Sequence, residues 1–187
     1  MAENKQQDAT QKEDLNDLMR VRREKMEKFR EMGVAPFGHR YEVTRHADEL
    51  LAEFASLGEE AESETEVSIA GRLMAIRGHG KASFAVLMDL SGKIQIYFKL
   101  DVLGEEKYKE EFKRLDIGDI IGVRGVVFRT RRGELTVRVD DFTLLSKSLR
   151  PLPEKFHGLK DVEMRYRQRY VDLIMNPEVK DTFIART

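Results

Sequence analysis

The chain has 187 residues, with 33 Lys+Arg against 34 Asp+Glu, a formal charge of −1, and 41% hydrophobic residues. No stretch approaches the roughly 20 apolar residues that a bilayer span needs; there is no cysteine for a disulfide scaffold, and the polar start MAENKQQDATQK lacks the apolar run of a secretory signal. With four scattered histidines and no cysteine to hold a metal, the expectation is a cytoplasmic protein with no metal site and no membrane partner.

The charge is uneven. Residues 1–66 hold 10 basic and 17 acidic side chains, residues 67–150 hold 16 and 11, and residues 151–187 hold 7 and 6. A basic centre points weakly to a polyanion. Residues 1–12 are polar without an apolar period and are predicted to be disordered. From Glu13 to Met32 the apolar Leu15, Leu18, Met19, Met26, Phe29 and Met32 recur at helical steps, and Gly33 and Pro36 follow as stop signals. The arginines on its polar side, Arg22 and Arg23 among them, are either a solvated face or phosphate contacts. Thr44 is placed to cap a second helix carrying Ala47, Leu50, Leu51 and Phe54. The acidic run Glu59 to Glu66 reads as a surface linker closing an N-terminal helical region, 13–66.

At Val67 the period changes to two. Strands are predicted from Val67 towards Arg77, from Ser83 to Leu90, over Lys93 to Phe98, from Asp119 to Arg129, and through Leu135, Val137 and Val139. A helix over 105–114 separates the third strand from the fourth, and Gly122 and Gly125 mark bends or bulges. Three strands, a helix and two strands describe an α+β chain with a mainly β core: a five-stranded Greek-key barrel of the OB-fold type over 67–147. Beyond it, Ser148 to Pro153 reads as an extended linker. A helix follows from Asp161 to about Met175, and Pro177 opens another, 177–187, which reaches Thr187 without a cap.

No nucleophile elbow, metal cluster or catalytic triad is present. The loop Gly78-His79-Gly80-Lys81 falls short of a phosphate loop, because Ala75 stands where the first glycine is needed and Ala82 follows the lysine. Its better reading is a barrel loop that swings Lys81 towards a nucleic-acid backbone. Single-stranded nucleic acid asks for an aromatic platform, an amide for a base edge and cations for phosphates. On the first three strands Phe84, Gln95 and Arg77 supply them. The Gln95 amide, donor and acceptor together, matches a uracil edge, and Glu134 is placed to accept from a base N–H. Two alternatives stay open: Phe84, sharing a face with Val86 and Met88, as core, and Gln95 as an ordinary exposed strand residue.

The strings RVRREK (20–25), GKASF (80–84), GKIQIY (92–97), RPLPEKFHGL (150–159) and RYRQRYVDL (165–173) closely resemble bacterial-type class II lysyl-tRNA synthetase in its N-terminal, anticodon-binding portion. The resemblance implies that the barrel binds the U-rich anticodon of lysine tRNA. The residue matching Phe84 would stack on an anticodon base, those matching Arg77 and Gln95 would read the central U, and that matching Glu134 would contact a neighbouring base. It further implies that 148–187 is a linker and the start of a catalytic domain, with Arg165, Tyr166, Arg169 and Tyr170 at a junction or homodimer interface. ATP and Mg²⁺ are expected for the full-length parent and none for these residues, because the three class II signature motifs would follow Thr187. The rivals are a free-standing single-strand-binding module and an assembly fragment that dimerises through 161–187.

Overall fold

The computed structural model describes residues 2–38, 40–153 and 162–186, excepting the side chains of 2–12, His79 and Met164. Residues 154–161, which carry most of the RPLPEKFHGL string, lie outside the described residues, as does His39. The chain divides into two compact units, Met1–Arg150 and Pro151–Thr187.

In the first unit, α1 (Ala2–Glu31) runs back through the stretch predicted to be disordered. Its Ala, Lys, Gln and Glu residues are good helix formers even without an apolar face. Only the C-terminal end of the expected apolar stripe is buried, at Met26 and Phe29, while Leu15, Leu18 and Met32 stay exposed. The helix α2 (Ala47–Glu53) is not capped by Thr44. The Glu49 carboxylate accepts the His46 N–H at 2.7 Å, and Asp89 and Ser91 accept the next two amides, of Ala47 and Asp48. Thr44 instead exchanges hydrogen bonds with Ser68 on the first strand.

The strands β1 (Glu62–His79), β2 (Ala82–Met88), β3 (Lys93–Lys99), β4 (Ile120–Arg129) and β5 (Leu135–Ser146) close a barrel in the order β1-β2-β3-β5-β4. Only β3–β5 is parallel. β1 starts five residues before the predicted Val67: Glu62 and Glu66 pair with Phe128 and Val126 of β4, so much of the acidic run is strand rather than linker. Alternation sends Ala85, Leu87, Ile94, Ile96, Phe98, Val137 and Val139 inward to one core. At Gly125 the β4–β5 register shifts, and a Cβ there would stand 1.8 Å from the Arg138 carbonyl oxygen, so glycine is required.

The predicted 105–114 helix is broken up. A π-helical turn (Lys107–Glu111) and a 3₁₀ turn (Phe112–Arg114) take its place, after a short α3 (Leu100–Leu103). Packing decides this. Tyr108 and Phe112 are buried, Phe112 stacks on Phe98 of β3 at 4.3 Å, and the Tyr108 hydroxyl shares a hydrogen bond with the buried Ser83 hydroxyl.

A buried charge network ties α1 to the barrel. The Lys147 ammonium, wholly buried, donates to Asp119 (2.7 Å) and Asp116 (2.6 Å), and Lys25 of α1 reaches Asp116 from outside at 2.5 Å. Burial pushes the Asp119 carboxyl up, more than Lys147 pulls it down. Burial also raises Asp116, but its hydrogen bonds to Lys147 and Lys25 outweigh this and hold it below the usual range.

In the second unit the predicted Asp161–Met175 helix is two, α4 (Val162–Arg167) and α5 (Arg169–Met175), with α6 (Pro177–Arg186) opening on its proline. Among the described residues no helix is long and apolar enough to cross a membrane.

Candidate nucleic-acid interface

Strand pairing brings side chains from distant positions into rows on the outer face of the barrel. Arg77 of β1 stands opposite Phe84 of β2, Phe84 opposite Tyr97 of β3, and Tyr97 opposite Arg138 of β5. The next row runs Val86, Gln95, Thr136 and Phe128 across β2, β3, β5 and β4. Directly opposed residues share a face and touch. Phe84 and Tyr97 have ring centroids 4.7 Å apart, and Phe128 adds its edge to Tyr97 at 6.0 Å.

Phe84 is 38% exposed between the buried Ser83 and Ala85, so its ring is on the surface and not in the core. A cleft of about 670 Å³ lies over these rows. Arg77, Phe84, Gln95, Tyr97 and Phe128 form its floor, and Thr130, Arg131 and Arg132 of the β4–β5 loop stand at its side. A second hollow of about 410 Å³ adjoins it, with Gln95 and Arg129 common to both, and carries Glu134 and Lys93. Three of the four predicted base-contacting residues therefore share one cleft, and the fourth lies next door.

Gln95 is half-buried, and its side-chain nitrogen donates to the Thr136 hydroxyl at 2.9 Å. Arg129 forms the wall between the hollows. Its guanidinium donates to the carbonyls of Phe54, Ala55, Leu57 and Gly133, which pins the loop carrying Glu134 to the end of α2. Arg131 and Arg138 are paired with Glu60 and Glu62 across exposed surface. Pairs of that kind contribute little to stability.

The phosphate candidates part company. Lys81 is exposed on the β1–β2 turn, where Gly80 takes a left-handed conformation (φ 73°), and Arg23 is exposed on α1. Arg22 is a correction. It is buried, and its guanidinium donates to the carbonyls of Ser148 (2.9 Å), Ile117 (3.0 Å) and Arg150 (3.2 Å). It fastens α1 to the end of the barrel and has no face left for phosphate.

In the second unit Arg165, Arg169 and Asn176 converge on the buried Asp172 carboxylate, so both arginines serve an internal contact. Tyr166 and Tyr170 remain 71% and 60% exposed, and the Arg169 guanidinium lies over the Tyr166 ring at 5.0 Å.

Tyr97, Phe128, Arg129 and Thr136 are not among the predicted site residues. Alternation with Lys93 and Gln95 signals Tyr97, and the buried Val127 signals an outward Phe128. The same alternation turns Thr136 outward between Leu135 and Val137, but nothing local marks its bond to Gln95 or the contacts of Arg129, whose partners are distant or main-chain atoms.

The closed five-stranded barrel carries a basic groove with an aromatic floor, and its residues 67–145 match the family described as OB-fold nucleic acid binding domain. Most of the chain is similar to a part of lysine–tRNA ligases, as its sequence motifs suggest. It is 57% identical over 175 residues to the lysine–tRNA ligase of Carboxydothermus hydrogenoformans, 58% over 175 residues to that of Pelotomaculum thermopropionicum, and 54% over 177 residues to that of Bacillus subtilis. Each match covers 94% of this chain, but the chain spans only about a third of the length of those relatives.

Proposed function

We propose that this chain is the anticodon-binding portion of a lysine–tRNA ligase, and that the outer cleft of its barrel holds the U-rich anticodon loop of lysine tRNA. The observation that carries the reading is the row Arg77–Phe84–Tyr97 with Gln95 beside it, an arginine, a stacking platform and an amide in one cleft. Phe84, backed by Tyr97, stacks on a base. Gln95 meets the pairing edge of the central uracil, and Arg77 donates to a uracil oxygen or a phosphate. Glu134 accepts from a base N–H in the adjoining hollow. Lys81 and Arg23 meet the backbone, with the loop arginines 131 and 132 at the cleft's side.

In the full-length parent, which acts in the cytoplasm, lysine condenses with ATP to lysyl-adenylate with release of pyrophosphate, and the lysyl group then passes to the tRNA 3′ end with release of AMP. Mg²⁺ and ATP are assigned to the rest of that parent, of which this chain spans about a third. The exposed Tyr166 and Tyr170 support a junction or homodimer surface on the second unit.

Photo-crosslinking tests the placement. A hairpin RNA with 4-thiouridine at the central loop position is expected to attach to the peptide carrying Gln95 and Tyr97. Attachment confined to α1 or to the second unit would overturn it.

A further inference from the structure

The orientation of the Gln95 carboxamide carries a consequence for base choice, which rests on the reading of Gln95 as the amide that meets the central base. A carboxamide presents an acceptor and a donor side by side, and a half-turn about its terminal bond exchanges them. The two pyrimidines differ by the same exchange. Uracil sets an N3–H donor beside the O4 acceptor, whereas cytosine sets an N3 acceptor beside an N4 amine. An amide free to turn pairs with either base; an amide held one way round favours one of them.

The structure holds it one way round. Thr136 stands opposite Gln95 in the parallel β3–β5 pairing and is wholly buried. Its hydroxyl has a single hydrogen. In the structure it is donated to the Glu134 main-chain carbonyl at 3.2 Å. Towards Gln95, at 2.9 Å, the Thr136 oxygen is therefore an acceptor, and only the nitrogen of the carboxamide satisfies it. Turned the other way, Gln95 would set two oxygens against each other unless the Thr136 hydroxyl gave up its bond to the Glu134 carbonyl. The anchoring carbonyl is itself fixed, because Glu134 accepts the Thr130 N–H at 3.0 Å and Arg129 holds the Gly133 carbonyl at 2.7 Å.

We infer that Thr136 is a positioning residue that orients the Gln95 carboxamide, and so makes the cleft choose uracil over cytosine. It touches no base. It acts by removing the rotation that would let the same amide accept both.

The test titrates the chain, Thr136→Val and Thr136→Ser with a hairpin RNA whose loop carries UUU and with its UCU counterpart. The wild type and Thr136→Ser are expected to prefer UUU by about tenfold. In Thr136→Val that preference falls to about threefold or less, because UCU binding strengthens while UUU binding stays within about twofold. A purely structural role for Thr136 would weaken both RNAs by the same factor, and an unchanged ratio in Thr136→Val overturns the inference alone. A wild type without preference overturns the Gln95 reading and this inference with it. Should Thr136→Val not fold, the wild type still decides by side-chain amide NMR. One Gln95 Nε2 proton is expected to be protected from exchange and close to the Thr136 methyl, and two freely exchanging protons contradict it.

Discussion

Phe84 is an aromatic side chain on the outside of a barrel whose core is complete without it, so its removal separates binding from folding. Phe84→Ala is expected to weaken binding of a UUU hairpin by about 1–3 kcal/mol, with a melting temperature close to that of the wild type. Titration and a thermal scan check both, and equal binding would contradict the stacking role. Lys147 is the opposite case: a charge buried for the fold and not among the residues lining the cleft. Lys147→Met leaves the fully buried Asp119 carboxylate without its cation, which costs about 3–5 kcal/mol in chemical denaturation. Asp119→Asn in the same chain should recover part of that loss. If the single variant is as stable as the wild type, the network does not hold the barrel end.

Two elements are fixed by contacts made far along the chain. The N-terminus of α2 is capped by the 89–92 turn, where the Asp89 carboxylate accepts the amides of Ala47, Ser91 and Gly92 at 2.8–2.9 Å. Partial burial raises its pKa, but those bonds and the one from the Ser91 hydroxyl (2.7 Å) together outweigh burial and hold it below the usual carboxylate value. A depressed carboxyl adds stability above its unfolded pKa of about 3.9 and loses it as the pH falls through the folded value. Asp89→Asn is therefore expected to cost about 1–2 kcal/mol at pH 7, with the gap to the wild type closing below about pH 4. A gap independent of pH would contradict the assignment. The β4–β5 loop depends on Arg129 in the same way. Arg129→Met strands four carbonyls and should speed tryptic cleavage after the exposed Arg131 and Arg132, and unchanged cleavage would show that the loop is held otherwise. These contacts also mark what the sequence could show. Alternation in Lys93–Lys99 and Leu135–Val139 placed the strands and put Gln95 and Tyr97 on one face, because a two-residue period is local. The breaking of the 105–114 helix was not legible, since Tyr108 and Phe112 take their geometry from the barrel end they fill. Nor was the role of Arg22: an arginine on a helix face reads the same whether it meets water, phosphate or three distant carbonyls.

Across the whole molecule, the −7 balance of residues 1–66 and the +5 balance of 67–150 become −4 for 1–61 and +2 for 62–150 once Glu62, Glu64 and Glu66 are counted with β1, which leaves the barrel with a slight positive charge. Part of that charge is already matched inside the unit, by Glu60 and Glu62 against Arg131 and Arg138 and by Asp116 and Asp119 against Lys147. What remains around the cleft attracts any polyanion, and attraction of that kind falls steeply with salt. Base reading is different, because the amide, the platform and the carboxylate recognise edges and rings rather than charge. The central claim is that this cleft reads a U-rich anticodon. Its most direct test is titration of the chain with a lysine anticodon stem-loop and with the same stem-loop carrying C for the central U, at low and at physiological salt. A preference for U that persists as overall affinity falls with salt is the expected result. Equal binding of the two RNAs, lost together as salt rises, would mean that the cleft holds phosphates and reads no base.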